Sequence, residues 1–374
     1  MEFTPSLVIA LFIALTVPVL FLFILRKFDL HRTVKFGRNI LTLAFGIGGF
    51  FLAVQVNEGV QRLGWVTYDQ VVRFTAPFAE EILKSLILLY LVSRADFNYV
   101  VDGALYGFGA GIGFAVIENI QYVTDDRFVN SALLVAILRV FSTNLMHATG
   151  SGLIGTALAY HRGEKVKSRS IWIVLGGYLI AIAFHLVFNN MVSSGVLIFI
   201  AIAYGVIGAV LIWYIIRRGM STQREWVSQL GAEDRVSQQE TRAVTSIDKV
   251  VDTLIKPFQE KFGDEKVPLV REMLYTQIEI GIKRKLVEST PSPTKKRELE
   301  DIIKKLGTDM EALRRQIGTY HMMFVRTVYL DQSFQVWAKI DARIAETSTG
   351  QKGGGLFDRA TERIKEKSVK KDEA

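Results

Sequence analysis

The chain has 374 residues, half of them hydrophobic, and a formal net charge of +8. Because it contains no cysteine, disulfides, thiolate metal sites and a cysteine nucleophile are excluded. The basic residues after position 218 are interleaved with acidic ones, so the positive balance does not indicate a nucleic-acid partner. Near residue 218 the composition changes from long apolar runs to a charged, helix-forming sequence, which predicts two all-α parts.

Segments of the first part are long and apolar enough to cross a hydrocarbon core about 30 Å thick. The third and fourth carry charges and would be overlooked in a search for charge-free runs. The sequence therefore predicts a polytopic membrane helix bundle with about seven spans. We place them at 6–25, 39–56, 71–93, 101–123, 131–160, 171–192 and 196–216.

The first span is not expected to be a cleavable signal, because it lacks a basic leader and ends in Arg26 and Lys27 without a small-residue cleavage site. Basic residues cluster after the first, fifth and seventh spans, whereas Asp125 and Asp126 follow the fourth. Under the positive-inside rule, the N-terminus lies outside and the long tail lies in the cytoplasm.

The third span carries Glu80, Glu81 and Lys84 near its middle. One charge at the centre of a membrane helix costs about 2.5 to 3.5 kcal/mol, so these charges must be offset by pairing, water or a metal. Lys84 lies four residues after Glu80 and three after Glu81, and a helix allows it to pair with either. One glutamate is left over, and such a carboxylate suits a general base that activates water.

The fourth span contains four alternating glycines between Gly107 and Gly113, which form overlapping small-x-x-x-small pairs. Plain helix packing is the better interpretation, and Gly150, Gly152 and Gly155 of the fifth span play the same part. Close packing can bring Glu118 toward neighbouring helices. An intramembrane carboxylate is a functional candidate by default.

Two histidines complete the polar set: His147 in the middle of the fifth span, and His185 in the sixth, one turn before Asn189. A His/His/Glu set leaves one position open for water, so Glu118, His147 and His185 are the candidate ligands of a metal, with Zn²⁺ as the expected ion. Alternatively, without a metal, the histidines hold water or stabilise the oxyanion while a glutamate takes the proton. Asn189 suits the oxyanion role, whereas Arg139 is interpreted as a snorkelling or packing residue.

The tail shows helical periodicity without a span. One apolar stripe lies between Val244 and Phe258 and another between Leu299 and Ile317, while Pro291 and Pro293 separate two helical blocks. The stripes fit internal packing as well as self-association, and we expect a regulatory or self-associating module. The expected domains are a transmembrane part, a helical cytoplasmic part and a flexible charged tail, at 1–218, 219–345 and 346–374.

A series of motifs lies in order on consecutive spans: Glu80-Glu81-x-x-Lys84, Asp102-Gly103 with Tyr106-Gly107, Phe114-x-x-x-Glu118-Asn119 with Tyr122, His147, and His185-x-x-x-Asn189. Over about residues 70 to 190 they resemble the PrsW family of intramembrane proteases, which is related to the CAAX prenyl endopeptidases and the ABI membrane proteases. The resemblance implies catalytic roles for the glutamates, for both histidines and for Asn189. Lys84, Asn119, Tyr122 and Asp102 would support them.

The resemblance further implies an endopeptidase of a prokaryotic plasma membrane that cleaves membrane-anchored protein substrates. The wider group has histidine where this chain has Glu118, which argues against prenyl-protein processing. A metal mechanism and a glutamate mechanism both stay open. The rival interpretations are a proton-coupled transporter or channel, in which these groups relay protons, and a catalytically inactive scaffold. A transporter would predict inverted repeats, and the sequence shows none.

Overall fold

The structure is a computed structural model that describes residues 4–27, 36–95, 97–163, 167–193, 198–227 and 251–327. Within these ranges the chain is helical and has no β-strand, which confirms the predicted all-α fold. The helices of the membrane part are α1 (Pro5–Lys27), α2 (Phe36–Arg62), α3 (Tyr68–Gln70), α4 (Ala76–Ser93), α5 (Val100–Thr124), α6 (Ala132–Phe141), α7 (Thr143–Gly163), α8 (Lys167–Ser193) and α9 (Ile198–Val227).

Six stretches of the described residues are helical, long and apolar enough to cross a membrane. The third predicted span is not among them, because α4 carries Glu80, Glu81 and Lys84. A π-helical turn at Val71–Thr75 joins α3 to α4, so the chain is helical from Tyr68 to Ser93. At a rise of about 1.5 Å per residue this stretch is long enough for a span of its own.

Helix α5 lies at the centre of the bundle, and almost all of its span is buried. It faces α7 with Gly107 and Gly111 and α2 with Gly109 and Gly113. A Cβ added at Gly111 would overlap the carbonyl oxygen of His147. The glycines therefore serve helix packing, as expected, and the close approach sets α5 directly against the helix that carries His147.

The predicted fifth span, 131–160, is broken at Ser142 into α6 and α7. Ser142 has φ −120° and ψ −77°, outside the helical region, and its hydroxyl donates to the Leu138 carbonyl oxygen over 2.7 Å. Helix α9 packs close to this break, because a Cβ at Gly205 would lie 2.9 Å from the carbonyl oxygens of Phe141 and Ser142. Before the break, α6 packs against α1 and α5.

The C-terminal helices are α10 (Lys256–Phe262), α11 (Val267–Ser289), α12 (Pro293–Ile317) and α13 (Thr319–Thr327), preceded by a π-helical turn at Val251–Ile255. They share one apolar core, which includes Phe258, Ile278 and Met310. The second predicted stripe lies in or against this core, so in the described residues it serves internal packing.

The structure describes only part of the rest of the tail. Val244 and Ile247 of the first stripe lie outside the described residues, as do residues 328–374. Leu254, Ile255 and Phe258 of that stripe are buried. Helix α9 continues beyond the predicted boundary at 218 to Val227, so the boundary falls within a helix.

Candidate active site

A cavity of about 270 Å³ opens among the ends of α2, α5 and α8. Glu80, Glu118 and Asn189 form part of its wall. Helix α4 runs from this cavity to the other end of the bundle, where the Lys283 ammonium of α11 donates to the carbonyl oxygen of Ala95 over 3.0 Å. The cavity and the C-terminal helices therefore lie at opposite ends of the membrane part.

The glutamate that pairs with Lys84 is Glu81. Lys84 Nζ donates to Glu81 Oε1 over 2.6 Å, and both side chains are fully buried. Gly150 of α7 makes room for this carboxylate, because a Cβ there would lie 2.9 Å from Glu81 Oε2. A buried pair of this kind offsets the cost of placing each charge in the bundle.

The two histidines lie edge to face, with ring centroids 4.8 Å apart. His147 Nδ1 is 2.8 Å from Lys84 Nζ, and its Nε2 is 2.8 Å from Glu118 Oε2. His185 Nδ1 is 2.9 Å from Glu81 Oε1. These contacts join residues of α4, α5, α7 and α8 into one hydrogen-bonded network.

Glu118 is held by a second cation, Arg139 of α6. Arg139 Nη2 lies 2.8 Å from Glu118 Oε2, and Arg139 Nε donates to Asn119 Oδ1 over 2.9 Å. The guanidinium lies 3.8 Å from the centroid of the Tyr122 ring, which it faces as a cation–π contact. One arginine thus contacts three predicted site residues on consecutive turns of α5.

Glu80 differs from the other two glutamates in its partners. Among the described residues, it forms no ion pair with a lysine or an arginine. Its neighbours are the Asn57 amide, 3.5 Å from Oε1, and His185 Nε2, 3.7 Å from Oε2. Since Lys84 and Arg139 are matched by Glu81 and Glu118, Glu80 carries the unmatched charge of the network, and its side chain reaches the cavity.

Asn189 and Asp102 have other surroundings. The Asn189 side-chain amide lines the cavity and donates to the carbonyl oxygen of Val72, in the π-helical turn, over 2.9 Å. Asp102 accepts from the Asn98 backbone N–H over 2.8 Å at the start of α5. It lies about 24 Å from Glu118 along that helix, so the structure does not bring Asp102 to the cavity.

Comparison with known proteins agrees with this geometry. A family model described as PrsW family intramembrane metalloprotease matches residues 36–216. Residues 36–216 belong to the PrsW family. This membership confirms the resemblance drawn from the motifs, and it makes the protein an integral membrane peptidase of PrsW type.

Proteins named Protease PrsW from three bacteria are similar to the chain. The protein of Clostridioides difficile is 27% identical over 190 residues, which cover 48% of this chain and 77% of that protein. The protein of Bacillus subtilis is 35% identical over 99 residues, 26% of this chain and 43% of its own length. The protein of Halalkalibacterium halodurans is 28% identical over 158 residues, which cover 42% of this chain and 64% of that protein. No solved structure matches the chain.

The PrsW family description implies a metal, and the structure offers a possible set of ligands for it that differs in one residue from the predicted set of Glu118, His147 and His185. Ligand atoms of Glu80, His147 and His185 all lie within 4.8 Å of one another, and Glu80 takes the place expected for Glu118. Glu81 accepts from His185 Nδ1, an outer carboxylate contact that orients many metal-binding histidines. The donor types and the outer carboxylate suit a metal such as zinc, which His147 could bind in exchange for its contact with Lys84 or with Glu118.

Arg139 is the residue of this PrsW-type site that the sequence interpretation missed. It lines the cavity instead of snorkelling, and its side chain is only 13% exposed. The signal that pointed to it was an unexplained cation inside an apolar span, three residues before a break that the sequence did not reveal. A buried cation in a bundle with surplus carboxylates is a candidate partner for one of them.

The mouth of the cavity carries an ion pair of its own. Arg127 donates to both oxygens of Asp125, over 2.9 and 2.7 Å. These hydrogen bonds lower the pKa of Asp125 to about 2. The carboxylate is therefore ionised at neutral pH.

Proposed function

We propose that this protein hydrolyses peptide bonds of membrane-anchored proteins at the cavity, with Glu80 as the general base. The observation that carries the proposal is the position of Glu80: it reaches the cavity, and among the described residues it is the one glutamate of the network that has no lysine or arginine partner. A carboxylate that is not neutralised by an ion pair keeps its lone pairs available for the proton of water.

In the proposed reaction Glu80 takes a proton from water, and the water oxygen attacks the carbonyl carbon of the scissile bond. The proton then passes to the leaving amine as the C–N bond breaks. Asn189 is proposed to stabilise the oxyanion, because a side-chain amide has two N–H groups and the Val72 carbonyl accepts from this nitrogen once. Glu81, Glu118 and Lys84 hold the two histidines in place.

In the alternative mechanism Glu80 is a metal ligand and not the free base: Glu80, His147 and His185 would hold the ion, with Zn²⁺ as the first candidate. When bound, such an ion supplies Lewis-acid polarisation of the carbonyl group and a more acidic water. The roles of Glu81, as the outer partner of His185, and of Arg139, as the partner of Glu118, are the same with or without it.

The proposed orientation places the cavity on the outer side and the C-terminal helices in the cytoplasm. Lys27 of α1, Arg162 of α7 and Arg217 of α9 lie at the helix ends that share the side of the C-terminal helices, whereas Asp125 lies at the cavity mouth. This distribution follows the positive-inside rule. A regulatory role of the C-terminal helices is proposed from their contact with the end of α4, the helix of Glu80.

The test is cleavage of a single-span substrate reconstituted in vesicles with the purified full chain. Replacing Glu80 by Gln is expected to lower the rate about 10²- to 10⁴-fold, the usual contribution of a general base, without lowering the unfolding temperature. The matched control is Glu260→Gln, at an exposed position on α10, with an expected rate like that of the wild type. A Glu80→Gln variant that cleaves at the wild-type rate would refute the assigned role.

Chelator and added zinc separate the two mechanisms. If the metal is required, chelator abolishes cleavage and zinc restores it, and bound zinc is lost from His185→Ala. If Glu80 acts without a metal, cleavage survives chelator but not the Glu80→Gln substitution. Absence of cleavage by a folded wild type under every condition and with several substrates would contradict the proposed activity.

A further inference from the structure

The two histidines of the site have different kinds of hydrogen-bond partner. We infer that Lys84 and Glu81 impose opposite tautomers on them: His147 carries its proton on Nε2, His185 carries its proton on Nδ1, and the Nε2 lone pair of His185 is the only imidazole lone pair of this network that remains available beside Glu80. The inference rests on the proposed function, because the tautomers matter for the reaction only if the site hydrolyses peptide bonds.

The tautomer of His147 follows from Lys84. An ammonium group has three hydrogens and no lone pair, so at 2.8 Å from His147 Nδ1 it can only donate. The ammonium form is maintained by Glu81, which accepts from it over 2.6 Å. With Nδ1 as acceptor, the neutral ring carries its proton on Nε2 and donates it to Glu118 Oε2 over 2.8 Å.

The tautomer of His185 follows from Glu81. An ionised carboxylate only accepts, so His185 Nδ1, at 2.9 Å from Glu81 Oε1, is the protonated nitrogen. Nε2 lies 3.7 Å from Glu80 Oε2, too far for the hydrogen bond that a protonated Nε2 would donate to this carboxylate, so we assign a lone pair to this nitrogen. A water molecule, with two hydrogens to donate, can bind to both at once.

The histidines are therefore not interchangeable. His147 is a donor that holds Glu118, whereas His185 offers a lone pair either to water or to a metal. A metal could bind His147 only after one of its two present contacts is broken, the one with Lys84 or the one with Glu118. Lys84 is thus a positioning residue that acts on the reaction through His147.

Long-range ¹H–¹⁵N correlation spectra of the full chain, labelled at histidine and solubilised in detergent, test the inference directly. Such spectra distinguish Nδ1–H, Nε2–H and doubly protonated rings. The signals of His147 and His185 are assigned by their loss in the single variants His147→Ala and His185→Ala. The expected result is Nε2–H for His147 and Nδ1–H for His185; any other pair of states would overturn the inference.

Substitution of Lys84 adds a second readout. Lys84→Arg, also a donor without a lone pair, is expected to keep the Nε2–H form of His147, whereas Lys84→Met is expected to give a mixture of tautomers. An unchanged His147 spectrum in Lys84→Met would refute the role of Lys84; where that variant fails to fold, the wild-type and Lys84→Arg spectra still decide. The exposed control Lys256→Met is expected to leave both rings unchanged.

Zinc titration and kinetics extend the test. Added Zn²⁺ is expected to shift the His185 Nε2 signal first. Equal shifts of both rings at the lowest zinc additions would contradict the claim that only His185 has an available lone pair. Lys84→Met is expected to lower kcat about 10- to 100-fold, as loss of outer contacts does, with KM little changed. The spectra need no substrate, so the tautomer assignment can be tested even if no peptidase activity is found. Absence of that activity would refute the proposed function but not the tautomer assignment.

Discussion

The three carboxylates of the site differ in whether a lysine or arginine pairs with them, and this difference suggests their chemical roles. Glu81 and Glu118 are neutralised by Lys84 and Arg139, so they act as fixed acceptors that orient His185 and His147. These two ion pairs also offset part of the cost of placing charges at membrane depth. The proposed reactivity is left to Glu80, whose neighbours are the Asn57 amide and the His185 imidazole.

Arg139→Gln is expected to destabilise the protein by about 3 kcal/mol, since it leaves the largely shielded Glu118 carboxylate without a permanent cation and with His147 as its remaining partner. The double variant Arg139→Gln/Glu118→Gln, which removes both charges, is expected to recover part of this loss. Thermal unfolding in detergent measures both. Equal unfolding temperatures for the wild type and the single variant would show that the pair contributes nothing.

Sequence spacing allowed either Glu80 or Glu81 to pair with Lys84, because residues three and four apart are both neighbours on a helix. The choice depends on how α4 is rotated toward α7, where Gly150 accommodates Glu81, and spacing along one helix carries no such information. Most residues of the candidate site were predictable from the sequence, although Arg139 was missed and Asp102 lies elsewhere. The contacts between these residues, and the position of Glu80 beside the two histidines, depend on how four helices pack.

At the scale of helices, glycine decides how near the site residues come. The glycines of α5 were predicted to allow close packing, and Gly111 lies directly against the backbone at His147. The break at Ser142 was not predictable, because neither proline nor glycine marks it and its hydroxyl bonds back to Leu138, as serines also do within continuous helices. Helix α9 packs against the chain at this break, and a contact between helices so far apart in sequence leaves no local pattern.

Gly111→Ala is expected to destabilise the bundle by about 1 to 3 kcal/mol, because the added methyl group forces α5 away from α7. The same displacement lengthens the Glu118–His147 contact, so cleavage should fall as well. Thermal unfolding and the cleavage assay measure the two effects.

Gly48→Ala on α2 is the matched control, because a Cβ at Gly48 meets no atom within 4 Å. Alanine is the better helix former, so this variant should be as stable as the wild type or slightly more stable. If Gly111→Ala also behaved in this way, close approach of α5 and α7 would not matter for the site.

At the scale of the whole molecule, the membrane part and the C-terminal helices meet at the end of α4. Lys283, fully buried on α11, donates to the Ala95 carbonyl oxygen, and Ala95 itself packs in the core of the C-terminal helices. The predicted division near residue 218 rested on the change of composition, and α9 runs through it to Val227. It gave no sign that the second part would bury residues of the first, because such long-range contacts leave no periodic signal.

Lys283→Met is expected to destabilise this junction by about 1 to 3 kcal/mol, since the Ala95 carbonyl loses a buried donor. Limited proteolysis in detergent should then cut the chain faster between α9 and α11. Lys285→Met is the control: Lys285 lies on the same helix and pairs with Glu288 nearer the surface. Identical proteolysis of the two variants would show that the Lys283 contact does not hold the junction.

The depth of Glu80 restricts the conformation of the chain that the site can process. The Glu80 side chain lies in the wall of the cavity and is only 14% exposed, whereas the backbone of an α-helix lies inside a cylinder of side chains about 10 Å wide, with its carbonyl groups hydrogen-bonded along the helix. A transmembrane helix is therefore expected to unwind around the bond to be cut before that bond reaches Glu80. Glycine costs a helix about 1 kcal/mol relative to alanine, so glycines near that bond would make the unwinding easier, and helix stability would select among substrates with the same side chains at the bond itself.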